Sequence, residues 1–166
     1  MIRSAATMLV LLVCAFVATA QAPVHQHNAT PVIDGATNPD QIPDAVAYRL
    51  CMVAFSVSQS PTDVEQNRQH AQLAHIGLGK SDLQALVGII ADFKIKHDAL
   101  VAEYNATATA AAANNQFTDG ATLMAKLDDL VQTTRNTIAT QLSSQGVSRL
   151  QSFVVGEKKN MKVQGE

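Results

Sequence analysis

From about Lys80 to about Ala113, the residues Leu83, Leu86, Ile90, Phe93, His97, Leu100, Tyr104, Thr107 and Ala111 recur at alternating three- and four-residue intervals. That spacing lays one stripe along several turns of helix, a heptad seam. A second stripe follows at once, formed by Leu123, Leu127, Leu130, Thr134, Ile138 and Gln141 between about Asp119 and Gln141. Ala106 to Ala113 is almost pure Ala and Thr, and Asn114 and Asn115 offer a stop. A connection this short makes the two helices antiparallel neighbours. The chain is therefore expected to be all-α, a small helical bundle built around a long antiparallel helical hairpin.

Composition agrees. The chain is 47% hydrophobic but only 4% aromatic and has no Trp, so its core must be built from aliphatic residues and Met, which favours packed helices over a sheet sandwich. No pair of strand-like runs is joined by a hairpin dipeptide, and no strand is expected.

Three further helices are expected. Pro43 is placed for the first turn of a helix over Ala45 to Ser58, whose apolar residues suggest burial on most sides. Ser60, Pro61 and Asp63 read as an N-cap, a first-turn proline and an acid three residues after the cap, opening a helix to about Ile76 before Gly77 and Gly79. Ser143 caps a last amphipathic helix through Val147, Leu150, Phe153, Val154 and Met161. Lys158, Lys159 and Lys162 fall in its final turns, where a solvated basic cluster would complement the helix dipole.

The N-terminus has the layout of a cleavable signal peptide over residues 1–20. Arg3 forms the charged region, Met8 to Val17 the apolar region, and Ala18, Thr19 and Ala20 the small-x-small site. The apolar run is shorter than the roughly 20 residues a membrane span needs, so no transmembrane segment is expected in the mature chain. Cys14 sits where a lipoprotein cysteine could, but Val13 before it is not small. Residues 21–39, with Pro23, Pro31, Pro39 and Gly35, read as a flexible linker ahead of a single helical domain over 40–166. The destination is the periplasm or the exterior. Cleavage would leave Cys51 as the only cysteine, so the fold must stand on packing, with Cys51 read as a small buried hydrophobe rather than an intermolecular disulfide partner.

Formal net charge is −2, which provides no basic field for nucleic acid. No recognised metal, nucleophile or phosphate-loop motif occurs, and no catalytic, cofactor or metal residues are assigned. His70 and His75 are five apart, on different helix faces rather than at the i, i+4 spacing that shares a metal. His97 falls within the seam and reads as a satisfied interface histidine, while adjacent Asp128 and Asp129 cannot face one pocket. His25 and His27 could bind Cu(II) in a square plane only if cleavage followed Ala22, and a polar linker is the better reading. Asn28 and Asn105 begin glycosylation sequons, meaningful only in a eukaryotic host.

Two helix starts share a pattern: Leu78, Gly79, Lys80, Ser81, Asp82 and Leu142, Ser143, Ser144, Gln145, Gly146. Each is a leucine, a small capping residue, two variable positions and a polar or small residue. Such copies about sixty residues apart, each an N-cap followed by a helix and together flanking a long hairpin, resemble the twin LTxxQ motifs of the Spy/CpxP family of periplasmic helical proteins. The likeness spans Leu78 to Met161. Gly79 stands where the family has Thr, and Asp82 and Gly146 where it has Gln. The resemblance implies a thin, curved helical dimer that shields unfolded exported proteins or senses envelope stress. The family's concave face is usually basic, whereas this chain is mildly acidic.

The chain is thus expected to be a small exported binding protein rather than an enzyme, with unfolded or envelope proteins as partners. Homodimerisation through the Leu83 to Tyr104 stripe and burial of that stripe within the monomer both remain open. The alternative is a structural or interaction protein of the cell envelope without client-protecting activity.

Overall fold

The computed structural model describes residues 31–164. Within them the chain is a helical bundle with one very small sheet. Strand β1 (Val32–Asp34) is followed by a single 3-10 turn (Pro39–Gln41), then by helices α1 (Asp44–Phe55), α2 (Asp63–Ala74), α3 (Lys80–Ala113), α4 (Ala121–Gln141) and α5 (Ser144–Glu157). A second 3-10 turn (Lys158–Asn160) leads into strand β2 (Lys162–Gln164). The proposed leader, Cys14, His25, His27 and Asn28 lie outside the described residues.

The hairpin forms as the two stripes require. α3 runs for 34 residues, about 51 Å at the usual rise per residue, and packs antiparallel on α4. Asn115 at φ 55° carries α3 out of the helix, and the Asn114 side chain donates to the Ala110 carbonyl. Asp119 then accepts a hydrogen bond from the Ala121 amide, so α4 begins two residues later than the stripe suggested. α1 lies against α3, α4 and α5. Ile42, Met52, Leu86, Ile90, Phe93, Val131, Leu150 and Val154 are almost completely buried between these elements.

Two boundaries differ from expectation. α2 is capped by Thr62 rather than Ser60: its hydroxyl accepts from the Glu65 amide at 3.3 Å while Glu65 accepts from the Thr62 amide at 2.9 Å. That reciprocal box needs Ser or Thr followed by Glu or Gln at the third position, which Thr62 and Glu65 supply and Ser60 and Asp63 do not. α5 ends at Glu157, and Met161 lies beyond it, before β2.

The expected linker also ends earlier than residue 39. β1 pairs antiparallel with β2 in the register Val32 to Gln164, Ile33 to Val163 and Asp34 to Lys162. Gly35 follows β1 and donates its amide to the Met161 carbonyl at 2.9 Å. A Cβ at Gly35 would overlap the Lys158 carbonyl oxygen, so the close approach requires glycine. With three residues per strand, the pair has no alternating run long enough to show in the sequence.

The basic cluster is solvated at Lys159 and Lys162, which are exposed, but not at Lys158. Lys158 is buried and its ammonium lies 2.7 Å from the Asp44 carboxylate at the start of α1, while Lys162 pairs with Asp34 across the strands at 3.0 Å. Two of the three lysines therefore fasten the C-terminal segment to the N-terminal one. No helix of the described residues is long and apolar enough to cross a membrane.

Candidate binding surface

The central part of the Leu83 to Tyr104 stripe is interior. Leu86, Ile90 and Phe93 are buried within the single chain, and Leu83, His97, Leu100 and Tyr104 are half-buried. The His97 ring stacks at a tilt on Phe93, with centroids 5.6 Å apart. His70, His75, Asn105, Asp128 and Asp129 are exposed. Among the described residues no group of three potential metal ligands converges.

The paired helix starts do converge. Asp82, in the first turn of α3, accepts the Ser143 amide at 2.8 Å and the Ser143 hydroxyl at 2.6 Å, while Ser143 itself caps the Gly146 amide at 3.0 Å. These hydrogen bonds, with the charge of Arg149 nearby, hold the Asp82 carboxyl below the usual carboxylate range. Gly146 leaves the room Asp82 occupies, since a Cβ there would strike its carboxylate. Arg149 donates to the Gly77 carbonyl in the turn between α2 and α3. The two motif copies therefore act on each other, tying the starts of α3 and α5 together.

The less expected surface is on α1. Ala47, Tyr48, Cys51, Met52 and Phe55 face inward and are buried. On the opposite side Leu50, Val53 and Ala54 are exposed, with Val46 half-buried beside them. A helix apolar on every side is normally interior, yet this one keeps a narrow apolar strip at the surface, with Leu50 38% and Val53 39% exposed. The expected burial on most sides therefore holds except along this strip. The signal was available: positions 46, 50, 53 and 54 form a second stripe opposite 47, 51 and 55, and a helix on the surface of a small bundle cannot bury both.

Two recesses meet at Leu50. One, about 590 Å³, lies between α1, α2 and α5 and is lined by Cys51, Ala54, Phe55, Phe153 and Met161, with His75 and Glu157 at polar positions. The other, about 510 Å³, is bounded by Val46, Arg49, Met124 and the strand residues Ile33 and Val163. Burial pushes the Cys51 thiol up to about 12. A third recess of about 460 Å³ lies at the hairpin tip among Leu100, Tyr104 and Leu123, beside the fully exposed Phe117.

Comparison with family models, with curated protein sequences and with solved structures found no match.

Proposed function

We propose that this chain is a small exported helical binding protein that shields apolar segments of other polypeptides, in the manner the likeness to the Spy/CpxP family suggests. The observation that carries the reading is the outward apolar side of α1, where Leu50 joins two recesses into one continuous surface. Val46, Leu50, Val53 and Ala54 adjoin one another along α1 rather than standing singly, which favours an interaction site over isolated surface hydrophobes. Shallow, open apolar recesses suit variable segments better than one preformed ligand. Met124 and Met161 in the walls add side chains that can repack around different partners.

The test is light scattering from a chemically unfolded client diluted into buffer with and without the purified protein. Suppression by the wild type, lost in L50E while L50E melts as the wild type does, is the expected result. Equal suppression by L50E would remove α1 from the reading. No suppression by either would leave an envelope interaction protein without client-protecting activity, whose partner would then be sought by crosslinking in its native compartment.

A further inference from the structure

The α1 surface is not uniformly apolar. Arg49 stands at its edge, half-buried, in the recess shared with Val46, Leu50 and Met124. Among the described residues no carboxylate lies within ion-pair distance of its guanidinium, and its one polar contact is the Met124 sulfur at 3.7 Å, a weak acceptor. The other arginines with described contacts are better placed: Arg68 and Arg149 donate to backbone carbonyls, and Arg135 lies over the Tyr48 ring at 4.9 Å. Lys162, in the wall of the same recess, is held by Asp34 at 3.0 Å. Among the described residues Arg49 is thus a positive charge beside the apolar side chains of Val46, Leu50 and Met124, its fork of donors uncommitted.

A guanidinium in that setting selects its partner. It matches a carboxylate with two parallel hydrogen bonds, and the apolar walls weaken the competition from water that would otherwise make such a pair nearly worthless. The remaining wall favours an extended chain. β2 supplies Lys162, Val163 and Gln164 to the recess, and in a two-stranded sheet its second edge has no strand partner among the described residues.

We infer that the segment this surface takes is an extended apolar stretch of polypeptide carrying a carboxylate, the carboxylate on Arg49 and the apolar side chains over Val46, Leu50 and Ala54. This rests on the binding function proposed above and names the class of its partner. Apolar contact supplies capture, and Arg49 supplies preference among segments.

The experiment uses three fluorescently labelled peptides with the same alternating apolar sequence and a central Glu, Gln or Lys, titrated into the purified protein by anisotropy. The Glu peptide should bind at least about tenfold more tightly than the Gln peptide at low salt, and the Lys peptide most weakly. The preference should shrink between about 0.05 and 0.5 M NaCl, as screening of a partly exposed pair requires. R49Q should bind the Gln peptide as the wild type does and show no preference for Glu. R49K, which keeps the charge without the fork, should fall between, and serves if R49Q does not fold. Equal binding of Glu and Gln peptides by the wild type would overturn the role of Arg49 while leaving apolar capture standing. Binding of no peptide, alongside displacement of an apolar dye by decanoate, would make the occupant an anionic amphiphile and overturn the inference. Binding of neither would overturn the binding surface itself.

Discussion

Asp82 and Ser143 are 61 positions apart, yet the carboxylate of the first receives both the amide and the hydroxyl of the second. One side chain from the start of α3 thereby reinforces the cap of α5. The folded carboxyl titrates below its ordinary value, chiefly because of the Ser143 hydroxyl, then the Ser143 amide. A depressed carboxyl contributes stability that is present above the unfolded value near 3.9 and is lost as pH falls through the folded one. D82N should therefore melt at a lower temperature than the wild type at pH 7, and the two should converge only once pH has fallen below the depressed folded value. Parallel melting curves at every pH would show that the carboxylate does not hold the junction.

Gly146 belongs to the same junction. In open helical space Ala is better than Gly by about 1 kcal/mol, but a Cβ here would displace the Asp82 carboxylate from Ser143. G146A should gain about 0.5–1 kcal/mol in a D82G background, which also removes the Asp82 Cβ that would lie 3.2 Å from the new methyl, and gain nothing, or lose, in the wild type. A urea-denaturation double-mutant cycle measures that coupling, and strict additivity would refute the contact.

Much of this architecture was legible because it is periodic. The stripes of α3 and α4, the Asn115 stop and the Ser143 cap all express themselves within a few residues of chain. What could not be read depends on distant partners. Nothing near Lys158 announces Asp44, and nothing in Val32–Asp34 announces Lys162–Gln164. The α1 surface lies between these cases. Its second stripe was visible, but which stripe turns inward is decided by α3, α4 and α5.

The Lys158 and Asp44 pair makes an asymmetric prediction. The lysine side chain is 10% exposed and the aspartate 48%, so removing the carboxylate strands a nearly buried ammonium, while removing the lysine frees a carboxylate to meet water. D44A should cost about 1–2 kcal/mol, the fully buried figure being discounted for the solvated side of the pair. K158M, which keeps the packed stem without the charge, should cost less. Equal losses in urea denaturation would mean that the pair acts only through packing.

Two phenylalanines separate the core of the hairpin from its tip. Phe93 is 1% exposed in the centre of the stripe, so F93A should cost about 3–5 kcal/mol through lost transfer energy and the cavity left behind. Phe117 is fully exposed beside the tip recess, and F117A should change stability by less than about 0.5 kcal/mol. If F117A destabilised the protein as F93A does, the tip would be packed against something that the isolated chain does not display.

Cys51 gives a probe of the α1 region that requires no partner. Its thiol is buried at the wall of the larger recess, and burial raises it to about 12, so at pH 8 the reactive thiolate is only about one part in ten thousand. In unfolded chain an ordinary thiol is ionised to about a tenth or more at that pH, so an aromatic disulfide reagent should react with folded protein about a thousandfold more slowly than with protein in guanidinium. Raising pH should accelerate native labelling without a plateau up to about pH 10, because the group remains far from its midpoint. A plateau near pH 9 would instead show that labelling passes through an opened state in which the thiol is solvated.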